Sequence, residues 1–229
     1  MARAACDVFI AKGYRGTRLT DVAERLELSH ALLYRYVESK EALLELAVRY
    51  AMDQEADLEA AVPLATPAEG RIAELVGAWL TTRATFTRLR GSLEQQPGDD
   101  ARAVLAGVID ELYDFIESNR LVLLLIESLA DDFPEISGEA VNDRKHSLNG
   151  RLAAFLAGRA ATGEMRPIAD PEVAAHFVAE TIAWFAQHRK RDPNAAAIDD
   201  RQARATVREL LLAAFIPDTP TTGMKGTQR

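Results

Sequence analysis

The sequence predicts an all-α protein with a small three-helix domain at its N terminus and a larger helical domain after it. Apolar residues recur at helical spacing along most of the chain, and no stretch shows the alternation of a strand. Helix-start residues such as Ser29 and the pair Asp170-Pro171 stand directly before several of these segments. With 229 residues, the chain is long enough for two domains that each bury a core.

The first two helices are short. Apolar residues predict a first helix over residues 2–12, and Gly13 stands where a glycine commonly ends a helix. A second apolar stripe at positions i, i+3, i+4 and i+7 runs from Leu19 to Leu26. These two helices are close enough in the chain to pack as neighbours.

A third short helix follows the second after a tight turn. Ser29 is in the position of an N-cap, and Leu33 and Val37 supply its inward face. The outward face then carries an imidazole, a methyl group, a phenol and a guanidinium. Such a face suits the major groove of DNA, where base edges bind paired donors and thymine methyl groups accept apolar contact. The outward residues are His30, Ala31, Tyr34 and Arg35.

The charge of the chain is divided unevenly. The net charge is −8, but residues 1–40 hold seven Lys/Arg against five Asp/Glu, a net of +2 that leaves −10 for the remainder. Phosphate contacts need local cations, and an acidic remainder keeps the rest of the surface away from a duplex. The distribution therefore supports a nucleic-acid surface confined to the first 40 residues.

A set of small, aromatic, polar and charged residues recurs at fixed spacings through the first 41 positions: Ala4, Ala5, Phe9, Gly13, Tyr14, Gly16, Thr17, Asp21, Ala23, Ser29, Leu33, Tyr34, Ser39, Lys40 and Glu41. At these residues the chain resembles the TetR family of transcriptional regulators, without a gap. The resemblance implies a helix-turn-helix domain over residues 1–45 and a helical effector-binding and dimerisation domain over 46–217, while the Thr/Gly/Pro-rich composition of 218–229 predicts a disordered tail. The resemblance also implies a ligand-responsive repressor that binds a palindromic operator in double-stranded DNA as a homodimer.

Two departures from the family pattern bear on local structure. Glu27 occupies the turn position where the family usually has glycine, and a left-handed backbone there costs a residue with a side chain on the order of 1 kcal/mol. Arg18 stands where a second Thr or Ser is common, so Thr17 is expected to cap the second helix. The sequence thus predicts a strained turn and a cation close to the DNA backbone.

Carried over position by position, the resemblance implies two kinds of DNA contact. Phosphates are expected at Thr17, Tyr34, Tyr36 and Lys40, with Ser29 capping the helix. Base edges are expected beside His30, Ala31, Leu32 and Arg35. The full set of DNA-binding residues predicted from the sequence is Thr17, Arg18, Thr20, Ser29, His30, Ala31, Leu32, Tyr34, Arg35, Tyr36 and Lys40.

Later helices are predicted from caps and breakers. Ser39 is expected to cap a fourth helix that runs to about residue 62. Thr66 and Glu69 form a capping box around Pro67, which predicts a helix over 67–93 beyond the nine that the family usually has. Further helices are expected over 100–119, 121–130, 137–163, 171–188 and 199–217, with a charged loop over 189–194.

The resemblance implies that the second domain holds an effector. If so, a small, mostly apolar molecule among its aromatic residues is expected, although most aromatics at helical spacing belong to a core. Glu127 follows a run of aliphatic residues, and it either faces solvent or forms a buried polar anchor. The candidate effector-binding residues are Trp79, Phe86, Tyr113, Phe115, Glu127, Phe155 and His176.

The last two helices are the candidate dimer interface. From Val173 to Ala186 the helix is apolar nearly all round, which predicts burial by its own domain and by a partner. The two reading helices of such a dimer are expected to lie one DNA turn apart, ~34–36 Å. The predicted interface residues are Ala175, Ala179, Ala183, Trp184, Ala186, Val207, Leu210 and Ala214.

Other functions receive less support. The chain has no nucleophile elbow, no phosphate loop and no metal-binding pair motif, so we expect neither an enzyme nor a cofactor. Glu172, His176 and Glu180 share one helical face and form either a polar ridge or, less favoured, part of a metal site. A helical carrier or sensor of small molecules that does not bind DNA remains the alternative of a different class.

Cellular location is predicted from hydropathy and cysteine content. The longest aliphatic run, residues 121–126, is far shorter than the ~20 residues of a membrane span, and no signal-peptide pattern follows Met1. The single cysteine, Cys6, allows no internal disulfide and is expected to be a small buried apolar group. A cytoplasmic protein without a membrane partner is therefore expected.

Overall fold

The computed structural model describes residues 1–52, 62–93, 100–137 and 139–217, with the backbone alone at 135, 137 and 139–147. The predicted tail over 218–229 lies outside the described residues. The described chain is helical, as the sequence predicts. No strand forms among these residues, where an isolated bridge joins Val37 and Leu64.

The helices are numbered in chain order. A 3₁₀ turn, His188–Arg191, follows the eleventh. Their bounds are α1 Ala2–Gly16, α2 Leu19–Arg25, α3 His30–Leu33, α4 Lys40–Met52, α5 Arg71–Arg83, α6 Thr87–Ser92, α7 Ala101–Ser118, α8 Arg120–Leu129, α9 Pro134–Ser137, α10 Glu139–Ala161, α11 Pro171–Ala186 and α12 Asp200–Phe215.

Helix starts follow the capping residues in the sequence, because a side-chain oxygen there accepts an otherwise unpaired N–H of the first turn. Ser39 accepts from the Ala42 N–H at 3.1 Å, and Asp199 from the Gln202 N–H at 3.0 Å. Asp100 and Asp170 cap α7 and α11 in the same way. The caps predicted at Ser39 and Asp170 are confirmed.

The predicted capping box at Thr66 is wrong. The Thr66 hydroxyl donates to the Ser39 hydroxyl at 2.9 Å, so it does not cap a helix, and Gly70 at φ 80° directly precedes α5. The predicted helix over 67–93 is also divided, because the Phe86 backbone has φ 40° and separates α5 from α6. Long-range contacts, invisible in the local sequence, decide both points.

One compact unit comprises residues 1–85 and 115–147. In it, α1 packs against α4 and α8. Cys6 is fully buried on α1, donates to the Ala47 carbonyl oxygen at 3.2 Å, and has a pKa raised to about 12 by burial. The expectation that Cys6 is a small buried group is confirmed.

The second compact unit comprises residues 86–114 and 148–229. Its α11 and α12 pack against each other and bury Val178, Ile182 and Leu211. These units differ from the domains predicted from the sequence, since α4, α5 and α8 group with the N-terminal helices. The boundaries near residues 45 and 217 stay a prediction.

The segment predicted as a charged loop is instead organised around one buried cation. Arg189 is 1% exposed and donates to the carbonyl oxygens of Phe185 and Ile198 and to the Asp200 carboxylate. A run of charged residues predicts a solvated loop, but here the guanidinium satisfies the Phe185 carbonyl at the end of α11 and the Ile198 carbonyl just before α12.

No helix among the described residues combines the length and apolar character that crossing a membrane requires.

Candidate nucleic-acid interface

The entry into α2 positions the first part of the candidate surface. The Asp21 carboxylate accepts from the Arg18 backbone N–H at 2.7 Å and pairs with the Lys12 ammonium at 2.8 Å. The hydrogen bond from Lys12 is the main reason that the pKa of Asp21 is lowered from its ordinary value. Because Asp21 holds the backbone of Arg18 at the N-cap position, the Arg18 side chain is exposed beside the helix start.

Thr17 has a different place from the one predicted. Its side chain is 1% exposed, and its hydroxyl donates to the Gly13 carbonyl oxygen at 2.7 Å. The prediction that Thr17 caps α2 is therefore wrong, since Arg18 is the N-cap residue. In this conformation the Thr17 hydroxyl also cannot reach a phosphate, because it is buried and already donates to the chain.

The turn between α2 and α3 closes the end of α2. The Leu28 N–H donates to the Ala23 carbonyl oxygen at 2.9 Å, and the Glu27 N–H donates to Glu24 at 3.0 Å. This pairing is the Schellman arrangement, which requires a left-handed backbone at the first residue after the helix cap. Glu27 supplies it with φ 55°. The predicted left-handed backbone at a residue other than glycine is confirmed, and the strain that it implies stays a prediction.

The α3 helix is held by one cap and two buried aliphatic side chains. Ser29 accepts from the Leu32 N–H at 3.2 Å, and Leu33 and Val37 are completely buried. Although α3 ends at Leu33, hydrogen bonds from the N–H groups of residues 34–37 continue the turn. The sequence correctly predicts this helix, its cap and its inward face.

The outward face of this segment is exposed as predicted. Tyr34 and Tyr36 are 46% and 40% exposed, and the His30 ring lies edge-on to Tyr34 with 4.9 Å between centroids. Arg35 is exposed, and neither Arg35 nor Arg18 forms an ion pair with another described residue. By contrast, Arg25 is paired with Asp7. The face thus offers ring edges, a methyl group and the guanidinium of Arg35, and Arg18 adds a second guanidinium at the start of α2. Exposed residues of the predicted DNA-binding set are Arg18, Thr20, Ser29, His30, Ala31, Tyr34, Arg35 and Tyr36, and Leu32 is half-buried.

A later segment supports the far end of this face. Leu64 donates to the Tyr36 carbonyl oxygen at 2.8 Å and accepts from the Glu38 N–H at 3.0 Å. Thr66 then donates its N–H to the Glu38 carboxylate at 3.1 Å. Sequence reasoning missed this support, because Leu64 lies 28 residues from Tyr36 and carries no local signal of the pairing.

The candidate effector residues are divided between the two units. In the first unit, Trp79 and Phe115 lie with tilted rings 6.1 Å apart, and Glu127 is exposed on α8. Of the two alternatives for Glu127, the structure therefore has the solvent-facing side chain and not the buried polar anchor. Which of these residues bind an effector stays a prediction.

The other candidate effector residues lie in the second unit. Tyr113 is buried under the Arg204 guanidinium, 5.2 Å from its ring centroid. Phe155 lines a cleft. Phe86 begins α6, and His176 is exposed beside the Asn149 side chain at 3.2 Å. No group of three potential metal ligands forms within the described part of the chain, so Glu172 and Glu180 are not joined there to a metal site.

The predicted dimer residues divide into inward and outward sets. Ala175, Ala186 and Val207 are at most 2% exposed within their own chain. The prediction that these three side chains contact a partner is therefore wrong. Trp184 and Leu210 are 37% and 64% exposed. Ala214 is exposed as well, and Ala179 and Ala183 are partly so.

Sequence reasoning missed two residues of this outward face. Val173 and Phe177 of α11 are 64% and 56% exposed. Their apolar character was visible in the sequence, but a helix that is apolar all round gives no signal of which side faces its own domain. The outer apolar face consists of Val173, Phe177, Trp184 and Leu210.

Comparison with protein-family models gives two matches. Residues 2–47 match the model described as bacterial regulatory proteins of the tetR family. Residues 102–214 match the C-terminal domain of AefR-like transcriptional repressors. None of the curated proteins compared with the chain matches it.

Solved structures show the same fold at low sequence identity. The ketosteroid regulator KstR2 of Mycobacterium tuberculosis is 16% identical with a TM-score of 0.58, over 95% of this chain and 93% of its own. A TetR-family regulator from Streptomyces coelicolor A3 is 19% identical with a TM-score of 0.53, covering 93% and 89%. AibR, in complex with isovaleryl coenzyme A and operator DNA, is 17% identical with a TM-score of 0.52, covering 93% and 97%.

Proposed function

Because the chain belongs to the TetR family of bacterial regulators, we propose that it represses transcription as a homodimer that binds a palindromic operator and releases it when a small effector binds. It is a DNA-binding transcriptional regulator with a ligand-binding second domain. The observation that carries the proposal is the exposed outward face of α3, held in place by the Ser29 cap and the buried Leu33 and Val37.

Different residues of this face serve different contacts. Arg35 has no ion-pair partner among the described residues and projects from the reading segment, so its guanidinium can donate two hydrogen bonds to a guanine. Arg18 is exposed at the start of α2, where a cation neutralises a phosphate without reading sequence. The phenols of Tyr34 and Tyr36 supply further phosphate donors.

A second copy of the chain is the partner proposed for the outer apolar face. Isolated exposed apolar residues are ordinary, but four large ones on the paired helices α11 and α12 favour burial by a partner. A two-fold axis through this face places the same residues opposite one another. Two reading segments one DNA turn apart then require a palindromic operator.

The DNA contacts are tested by selecting bound fragments from the source genome and measuring affinity across sequence variants of the selected site. Arg35→Ala is expected to relax preference at one base step by ~1–3 kcal/mol. Arg18→Ala is expected to weaken all sequences alike and to flatten the salt dependence. Equal loss of preference from both changes would contradict the assignment, and no selected fragment at all would favour a carrier that does not bind DNA.

The dimer is tested by sedimentation of Phe177→Asp and Leu210→Asp at micromolar concentration. Each change puts a carboxylate into the proposed interface, where an unpaired buried charge is strongly unfavourable, and is expected to give monomers with weak operator binding. Ile198→Asp is the matched control, because Ile198 is 41% exposed outside the outer apolar face. A wild-type monomer that binds its operator tightly would overturn the proposal.

A further inference from the structure

A cleft in the second unit combines an apolar wall with a buried cation. It has a volume of about 190 Å³. Phe155, Ala154 and Gly158 of α10 form one side, and Ser92 and Leu93 at the end of α6 form another. The turn after α10 completes it with Thr162 and Glu164, and Arg159 lies in the lining as its cationic group.

The Arg159 side chain is only 7% exposed. Its Nη1 donates to the Glu164 carboxylate at 2.6 Å, and its guanidinium lies 6.0 Å from the centroid of the Phe155 ring. Its Nη2 is buried and has no hydrogen-bond partner among the described residues. Buried arginine donors are normally satisfied, so an unsatisfied one in the lining of a cleft marks a place for an acceptor.

The backbone around Arg159 is already satisfied without Nη2. The Arg159 carbonyl oxygen accepts from the N–H groups of Glu164 and Met165 and from the Thr162 hydroxyl. The ion pair with Glu164 accounts for Nη1. The end of α10 is therefore held by groups other than Nη2, and the spare donor has no structural task among these residues.

The size of the cleft limits what it holds. A protein cavity of ~150 Å³ accommodates benzene, so 190 Å³ fits a single ring or a short branched chain with one polar group. Phe155, Leu93 and Ala154 provide apolar contact for that body, and Arg159, which lines the same cleft, carries the unpaired donor Nη2.

We propose that this cleft binds a small, mostly apolar molecule through a carbonyl or carboxylate oxygen that accepts a hydrogen bond from Nη2 of Arg159. The inference deepens the effector part of the proposed function and rests on it for its regulatory meaning. It replaces a general apolar effector with a stated size, a stated polar group and a stated anchor.

The first experiment is calorimetric titration of the full-length protein with three probes of one ring each. Benzoate carries a carboxylate, benzamide carries a neutral carbonyl, and toluene carries no acceptor. At least one of the first two is expected to bind about tenfold or more tightly than toluene, because a hydrogen bond from a charged donor distinguishes them. If benzoate alone binds more tightly than toluene, the acceptor that the cleft selects is a carboxylate. If both benzoate and benzamide bind more tightly than toluene, it is a carbonyl oxygen. If neither binds more tightly than toluene, the proposal is overturned.

Two variants assign the binding to Arg159. Arg159→Met keeps the length of the side chain without donors and is expected to abolish the preference over toluene. Arg151→Met is the control, because Arg151 is an exposed arginine of the same helix outside the cleft. A preference that survives Arg159→Met in a folded protein, checked by its thermal transition, overturns the assignment.

Glu164→Gln keeps the proposal testable if Arg159→Met does not fold. Glutamine still accepts from Nη1, but the negative charge beside the cleft is removed. Benzoate is expected to bind at least about threefold more tightly, since like charges a few ångströms apart repel, while benzamide is nearly unchanged. If benzoate binds the wild type more tightly than toluene does, an unchanged benzoate affinity in Glu164→Gln overturns the proposal. None of these titrations involves DNA, so their failure leaves operator binding and dimerisation standing, and failure of those leaves this site standing.

Discussion

The ammonium group of Lys40 donates to the Tyr14 carbonyl oxygen at 2.9 Å and lies 4.0 Å from the centroid of the same residue's ring. It also donates to the Thr17 carbonyl oxygen at 3.1 Å. Lys40 is the first residue of α4, whereas Tyr14 and Thr17 stand at the end of α1. The side chain therefore ties the start of one helix to the end of another, next to the candidate DNA surface.

Lys40→Met should lower the free energy of unfolding by ~1–2 kcal/mol, because two carbonyl oxygens lose a charged donor. Urea denaturation measures the change. Arg3→Met, an exposed position on α1, is the control and should stay within ~0.5 kcal/mol. The sequence also predicts that Lys40 binds a phosphate. If it does, operator affinity should depend less steeply on salt concentration in Lys40→Met than in the wild type. An unchanged salt dependence would assign Lys40 to structure alone.

The pair Tyr14 and Glu41 gives a dependence on pH. The Tyr14 hydroxyl donates to the Glu41 carboxylate, and this bond is the main cause of the lowered pKa of Glu41, whose ordinary value is 4.5. A carboxyl group whose pKa is lowered by folding stabilises the folded state above pH 4.5, and this contribution is lost as the pH falls through the folded value.

Tyr14→Phe should therefore destabilise the protein by ~0.5–1 kcal/mol at pH 7, a small value because Glu41 is solvent-exposed. The difference from wild type should shrink as the pH falls from 4.5 through the lowered pKa of Glu41 in the folded wild type, below which both proteins carry a protonated Glu41. Urea denaturation from pH 7 to pH 3 measures this. A difference that stays constant over that range would show that the loss comes from packing of the ring.

Glu27→Gly should stabilise the protein by ~0.5–1 kcal/mol. Glu27 has φ 55°, where a side chain costs ~1–2 kcal/mol of strain. Glycine removes this strain, but it loses more conformational entropy on folding, so the net stabilisation is smaller than the strain. Glu24→Gly, on the exposed face of α2, is the matched control and should destabilise by ~1 kcal/mol. The midpoint of urea denaturation gives the change in stability of each variant, provided that the dependence of the unfolding free energy on urea concentration is the same as in the wild type. A Glu27→Gly variant that is less stable than the wild type would contradict the strain.

Arg189→Met should be the most destabilising of these changes, at ~3 kcal/mol or more. It removes the donors of the Phe185 and Ile198 carbonyl oxygens, and it leaves the Asp200 carboxylate with Lys190 as its partner. Arg191→Met, at an exposed position of the same 3₁₀ turn, should have little effect. Thermal unfolding of both variants gives the comparison, and equal transitions would mean that the buried guanidinium contributes no net stability.

Local sequence decided much of the fold and of the candidate surface. Caps such as Ser29, Asp170 and Asp199 satisfy N–H groups within three residues of themselves, and the apolar stripes choose the buried side of each short helix. The strain at Glu27 could be predicted because a Schellman turn places its left-handed residue at a fixed offset from the helix end. In each of these cases the partners lie close together in the chain.

Tertiary contacts decided the rest, because those partners are far apart in the chain or depend on which side of a helix is covered. Leu64 supports Tyr36 across 28 residues, and Thr66 bonds to Ser39 instead of capping a helix. Ala175 and Phe177 are both apolar and two positions apart, yet packing of α11 against its own domain buries the first and leaves the second exposed. Periodicity alone reports that a face is apolar, whereas only the packed structure determines whether that face is filled by the same chain or left for a partner.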